Sequence, residues 1–198
     1  EDFEQAVDMI KHAKRPLILA GHGVLMSGAM QEIRYFAETT QTPVAMTLLG
    51  LGGFPASHPL NLGMMGMHGE AWVNHAIQEA DLLISMGMRF DDRVTGDLRT
   101  YAPNARKIHF EIDPSEINKN VKVDLALIGD LRESLSQLNP ALPKLEHPEW
   151  MSFINESHNE ANQRDIQNIP DDGRLRAPHV ISDLCKHTQG KSIVVTDV

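Results

Sequence analysis

The run Leu82 to Met86, read L-L-I-S-M, is apolar enough to be a strand buried on both faces, and Gly87 ends it at once. Strands of that kind sit inside parallel sheets, whose faces are both covered by helices. Leu17 to Ala20, Val44 to Thr47, Arg106 to Ile112 and Val123 to Ile128 read as further strands. Between the strands, apolar residues recur three and four apart: Phe3, Ala6, Val7, Ile10 and Ala13, then Met30, Ile33 and Ala37 within Ala29 to Glu38. Glu70 to Gln78 and Leu131 to Leu138 also read as helices. That period puts the apolar side chains on one helical face. The alternation predicts an α/β fold over residues 1–139: an open, mostly parallel sheet of about five strands with helices on both faces.

In such sheets ligands bind outside the carboxyl ends of the strands. Four strand ends carry suitable chemistry. Gly21-His22-Gly23 follows the first strand, where backbone N–H groups can hold a pyrophosphate; the alternative is a plain tight turn. The third glycine of the dinucleotide fingerprint is missing, and no Asp or Glu stands about 20 residues on, which disfavours an ordinary NAD site. After Gly87, Arg89 and Arg93 bracket Asp91 and Asp92, offering forked donors to phosphate and acceptors to hydroxyls, with Phe90 able to cover an aromatic ring. Read alone, the same charges make a solvated loop with internal ion pairs. Glu111 and Asp113 share one side of a strand end, and Asp130 ends another; each can accept ribose hydroxyls, or, for Asp113 before Pro114, cap a helix.

Leu48 to Gly69 holds Gly50, Gly52, Gly53, Gly63, Gly66, Gly69, Pro55 and Pro59, a density of backbone breakers that predicts a binding loop without regular structure. Met86 reads as core filler. Met67, among glycines and beside His68 on that loop, is better explained by a flat ring against it. None of the ten histidines forms an H-x-x-x-H or H-x-H pair, so His68 suits a hydrogen bond to a cofactor better than a metal. No nucleophile elbow, Walker loop or Ser-His-Asp order is visible.

A net charge of −9 without a basic stripe argues against nucleic acid and anionic membranes as partners. No apolar run reaches the roughly 18 residues of a membrane helix, no secretory leader is visible, and the single cysteine, Cys185, suits a reducing compartment. The expectation is a soluble cytoplasmic chain. Asn139 to Pro148 reads as a surface linker, Glu149 to Gln163 as a helix around Trp150, Phe153 and Ile154, Pro170 to Gly173 as a polar stretch, His179 to His187 as a helix and Ile193 to Val195 as a strand. The expected domains are residues 1–139, a linker with a helix at 140–173, and the truncated start of a second α/β domain at 174–198. A chain that opens without methionine and closes just past a strand reads as a segment of a longer polypeptide.

With these residues in view, the chain resembles the central domain of the FAD-containing biosynthetic acetolactate synthase (acetohydroxyacid synthase) catalytic subunit. The resemblance lies in P-V-A-M-T-L-L-G-L-G-G-F-P from Pro43, G-M-M-G-M-H-G from Gly63, D-L-L-I-S-M-G-M-R-F-D-D-R-V-T-G from Asp81 and F-E-I-D-P-S-E-I-N-K-N from Phe110. It implies a thiamine-diphosphate enzyme that decarboxylates pyruvate and joins the remaining two carbons to a second 2-keto acid, pyruvate or 2-ketobutyrate, for branched-chain amino-acid synthesis. It also implies FAD in this domain, held by Gly21, His22, Gly23, Thr47, Leu48, Met67, His68, Gly87, Arg89, Asp91, Arg93, Val94, Glu111, Ile112 and Asp130. Met67, Asp92 and Arg93 match positions near the family's substrate channel. His22 stands where the family often has glycine or alanine. Thiamine diphosphate and Mg2+ are expected in other domains of the same polypeptide, residues 174–198 resembling the opening of the thiamine-diphosphate domain, and a small regulatory subunit is an expected partner. The segment alone is expected to bind FAD weakly and catalyse nothing. Two other readings stand beside this one: an NAD-type nucleotide module, and the middle domain of another thiamine enzyme such as glyoxylate carboligase, oxalyl-CoA decarboxylase or a pyruvate oxidase.

Overall fold

A computed structural model of the chain describes residues 2–162, 172–189 and 191–195. Six strands form one sheet: β1 (Pro16–Ala20), β2 (Val44–Met46), β3 (Asn61–Met64), β4 (Leu82–Met86), β5 (Arg106–Glu111) and β6 (Leu125–Ile128). Their order is β3-β2-β1-β4-β5-β6 and every neighbouring pair is parallel. The helices are α1 (Asp2–His12), α2 (Gly23–Met26), α3 (Met30–Thr40), α4 (Ala71–Glu79), α5 (Asp92–Thr95), α6 (Leu131–Leu138), α7 (Pro148–Asn162) and α8 (Ala177–Thr188). The open parallel α/β sheet expected from the alternation is present.

Side chains alternate across the strands, so each strand feeds two cores. Ile18, Val44, Ile84, Ile108 and Leu127 pack with Ile10, Ile33, Phe36 and Leu135 from α1, α3 and α6. Leu17, Leu19, Ala45 and Leu83 pack on the other face with Val73 and Ile77 of α4 and Trp150 and Ile154 of α7. Burying a Leu, Ile or Phe in such a core contributes about 1.5–3 kcal/mol each. Every residue of β1 and β4 is buried, as expected for central strands.

Three expectations are corrected. The sheet has six strands rather than five, because Leu48 to Gly69 contains β3 and a 3-10 turn, Leu48–Gly50. β3 is an edge strand whose pairing with β2 shifts register at Val44/Ala45, and Gly63 has φ +91°, so its sequence shows little of the usual period. The segment after α6 is not a plain surface linker. Asn139, Leu142 and His147 are buried, Leu145 N–H donates to Thr39 O at 3.1 Å, and Trp150 Nε1 donates to Pro16 O at 2.9 Å. One compact unit accordingly runs from Glu1 to Ile154. The second unit, Asn155–Val198, contains α8, preceded by an ion pair from Arg176 Nη2 to Asp172 Oδ2 at 2.8 Å. Ile193 to Val195 is irregular and exposed instead of a strand; it has no ladder partner among the described residues, and a lone strand does not hold in water. Gln163, Pro170 and Thr196 to Val198, also assigned from sequence, lie outside the described residues.

Candidate functional site

All six strands run the same way, so their carboxyl ends share one edge. The chain leaves β1 toward β2 on one side and returns to β4 on the other, which makes the β1–β4 junction the topological switch point. The two strand ends touch there. Gly21 N–H donates to Met86 O at 3.0 Å and Gly23 N–H to Gly87 O at 2.9 Å, while Gly87 N–H donates to Phe110 O at 3.0 Å. A Cβ on Gly21 would lie 2.3 Å from Gly87 O, and one on Gly23 would lie 2.6 Å from Gly87 Cα. Gly87 also has φ +59°. The glycines are therefore required by backbone meeting backbone, beyond the turn each one makes. His22 joins this turn to the next strand end, its Nδ1 donating to Leu49 O at 3.0 Å.

At the end of β2, Thr47 N–H donates to Ala20 O at 2.9 Å and the Thr47 hydroxyl accepts from Gly50 N–H at 3.1 Å. This cap turns Leu48 and Leu49 outward, 63% and 67% exposed. Beyond β3, Asn74 of α4 grips Gly66 from both sides, accepting from its N–H and donating to its carbonyl, each at 2.9 Å. The loop then meets the segment after β4: Met67 N–H donates to Arg93 O at 2.8 Å, and Arg93 Nη1 lies 3.5 Å from Met67 Sδ. Met67 and Arg93 are thus brought together, with His68 exposed beside them.

The charged segment after Gly87 is half solvated loop and half scaffold. Arg89 Nε stands 3.4 Å from Asp91 Oδ2 in an exposed pair, while Asp91 caps α5 by accepting from Arg93 N–H at 3.1 Å. Asp92 and Arg93 are exposed and Val94 is half-buried. Phe90 does not cover a ligand: it is buried, edge-on to His109 and Tyr101 at 5.1 and 6.2 Å, because alternation past the strand end turns it into the core.

At the end of β5, Glu111 Oε1 accepts from Ile112 N–H at 2.9 Å and Asp113 N–H at 3.2 Å. The His109 imidazole and then these N–H groups hold the Glu111 carboxyl below the usual range, against burial, which raises it. Asp113 caps the turn Pro114–Glu116, accepting from Ser115 N–H at 2.9 Å, and this bond holds its carboxyl low. Asp130 caps α6 by accepting from Glu133 N–H at 3.0 Å. Ile112 projects outward, 68% exposed.

The edge therefore offers a junction of glycine backbone, an apolar lip of Leu48, Leu49, Met67 and Ile112, and guanidiniums at Arg89 and Arg93. An elongated anion carrying a flat ring matches these parts. Gly21, His22, Gly23, Thr47, Leu48, Gly87, Arg89, Asp91, Glu111, Ile112 and Asp130 stand at the ends of β1, β2, β4, β5 and β6. Met67, His68, Asp92, Arg93 and Val94 belong to the two loops that meet above them. A groove of about 660 Å3 between α3 and the end of α6, lined by Glu32, Tyr35 and Asn139 among others, includes none of these residues. Asn74 and His109 hold the site from beneath and escape sequence reasoning. Their only signal is a polar residue beside buried apolar neighbours in sequence, Asn74 after Val73 and His109 between Ile108 and Phe110.

Sheet order and glycine junction define a doubly wound α/β domain of the kind that takes cofactors at its switch point. The chain belongs to the thiamine pyrophosphate enzymes, matching the central domain of that family over residues 3–138. It is 48% identical over 157 residues to a probable acetolactate synthase large subunit of Methanocaldococcus jannaschii, covering 78% of this chain and 27% of that one. To the acetolactate synthase large subunit of Corynebacterium glutamicum it is 52% identical over 136 residues, 69% of this chain and 22% of the relative. To the isozyme 2 large subunit of Escherichia coli it is 40% identical over 201 residues, 100% of this chain and 35% of the relative. The chain thus spans about a third or less of the length of these relatives.

Proposed function

We propose that this chain is the FAD-binding central domain of a cytoplasmic, thiamine-diphosphate-dependent acetolactate synthase, which condenses two pyruvates, or pyruvate and 2-ketobutyrate, with loss of CO2. The observation that carries the reading is the junction of Gly21, Gly23 and Gly87, where the lack of side chains lets the ends of β1 and β4 meet backbone to backbone at the switch point, the place where open parallel sheets take cofactors. The residues present fit FAD: half-buried glycine backbone at Gly23 and Gly87 beside the switch point, an apolar lip for the flavin ring and arginines for the phosphates. In this reading Gly21, Gly23 and Gly87 admit the pyrophosphate, Arg89 and Asp91 orient the chain of the cofactor, and Leu48, Met67 and Ile112 exclude water from its ring. Met67, Asp92 and Arg93 border the path of the keto acids.

Thiamine diphosphate, when bound, supplies the carbanion chemistry. Thiamine diphosphate and its Mg2+ are assigned to other domains of a longer polypeptide, since this chain spans about a third or less of the length of its relatives. The large-subunit names of the relatives support a small regulatory subunit as partner. Adding FAD to the purified chain is expected to shift and structure the flavin absorbance, while NAD leaves the protein unchanged. The chain alone should form no acetolactate from pyruvate, and the full-length polypeptide should. Tight NAD binding without flavin binding would overturn the reading.

A further inference from the structure

Beneath the strand ends lies a histidine that the proposed function does not use. His109 is fully buried in the middle of β5, on the face that packs against α4, directly beside Ser85 of β4. Its Nε2 is 2.8 Å from Met88 O. A carbonyl only accepts, so Nε2 carries a proton and donates it. The same nitrogen is 3.7 Å from Glu111 Oε2, too far for a hydrogen bond yet close enough for attraction in a buried setting. Phe90, edge-on at 5.1 Å, covers the ring, and Nδ1 has no partner. The ring is thus held by what Nε2 touches.

Those two contacts belong to different turns. Met88 follows Gly87 and precedes Arg89, so its carbonyl fixes the turn that sets the β1–β4 junction. Glu111, through Ile112 N–H and Asp113 N–H, fixes the turn after β5. One N–H therefore links the turn that presents Arg89, through a hydrogen bond, to the turn that presents Ile112, through attraction to the Glu111 carboxylate. We propose that His109 is a positioning residue that latches these two strand-end turns into one rigid wall of the cofactor site. The role in cofactor binding rests on the FAD reading above, whereas the latch itself does not.

Removing the donor leaves Met88 O buried without a partner, and the turn must open to reach water. In His109→Leu, amide hydrogen exchange at residues 88–90 and 112–113 should rise together by roughly tenfold or more, the scale of one lost buried hydrogen bond. Exchange at Thr47 and Gly50 should stay unchanged. His109→Gln, whose amide can also donate, should restore both turns. Glu111→Gln should loosen only residues 112–113. FAD affinity should fall about tenfold in His109→Leu and recover in His109→Gln, by the same loss of one donor.

Should His109→Leu fail to fold, the unaltered chain decides through the NMR signal of the imidazole N–H. A slowly exchanging proton on Nε2 supports the latch, and a fast-exchanging one, or a proton on Nδ1, overturns it. Loosening of one turn only, or of the whole sheet, would also overturn it. Unaltered FAD affinity despite two loosened turns would overturn the positioning role. If the unaltered chain binds no FAD, the proposed function fails while the exchange pattern still decides the latch.

Discussion

The two sides of the carboxyl edge are built differently. At the β1–β4 junction the strands pair in unbroken register from Pro16↔Leu82 to Ala20↔Met86, all residues are buried, and the turns lock backbone against backbone through Gly21, Gly23 and Gly87. On the β2–β3 side the register slips, and Leu48, Leu49 and Met67 face solvent from turns held by the side chains of Thr47, His22 and Asn74 and by the bond from Met67 N–H to Arg93 O. The first region has no freedom to lose, so it can set a fixed position for a ligand. The second has exposed apolar area and shallow anchoring, which suits contact with a ring or another domain. Rigidity and adaptability are divided between neighbouring strands.

The contrast can be broken first at the junction. Gly87→Ala puts a methyl 2.6 Å from Gly23 Cα at a positive φ, and should cost about 2–4 kcal/mol in denaturant unfolding and abolish flavin binding. Asn74→Ala removes both bonds to Gly66. It should cost about 1–2 kcal/mol and loosen residues 66–68 in hydrogen exchange while the junction keeps its protection.

Acid should act on the β5 turn. Glu111 and Asp113 have pKa values depressed below their ordinary 4.5 and 3.8, so their stabilisation is fully present above those values. It declines as the pH drops below them and is gone once the pH has passed through the depressed folded-state values. Exchange at Ile112 and Ser115, followed between pH 6 and about 3, should rise before that at Gly21.

The smallest stability effect belongs to the lip. Leu48→Ser should change unfolding free energy by less than about 0.5 kcal/mol, since the side chain is mostly exposed, yet weaken flavin binding measured by titration. A lip variant that unfolds the sheet, or a Gly87→Ala protein that binds flavin normally, would erase the distinction.

The junction was legible in the sequence because its constraints are local: apolar runs stop at glycines, and glycine chemistry survives without knowing the partner. The strands at 82–86 and 106–111 were legible for the same reason, being buried on both faces. β3 was not, since N-L-G-M owes its extended form to β2 rather than to its own side chains. α2, a single turn after Gly23, carries no periodic signal. Phe90, set among charged residues, reads from sequence as able to cover a ring, and only the fold shows it pointing at His109 and Tyr101. The burial of Leu142 and His147 was masked by the surrounding prolines. Asp113 carried two readings, and its bond to Ser115 N–H shows the cap in place.

The central claim is that an elongated cofactor lies against the β1–β4 junction. Amide NMR of the labelled chain during FAD addition tests it most directly. Gly21, Gly23 and Gly87 are predicted to shift first and furthest, followed by Leu48, Met67 and Ile112. Shifts confined to the groove of Glu32, Tyr35 and Asn139, or no shifts with saturating FAD, would contradict the account.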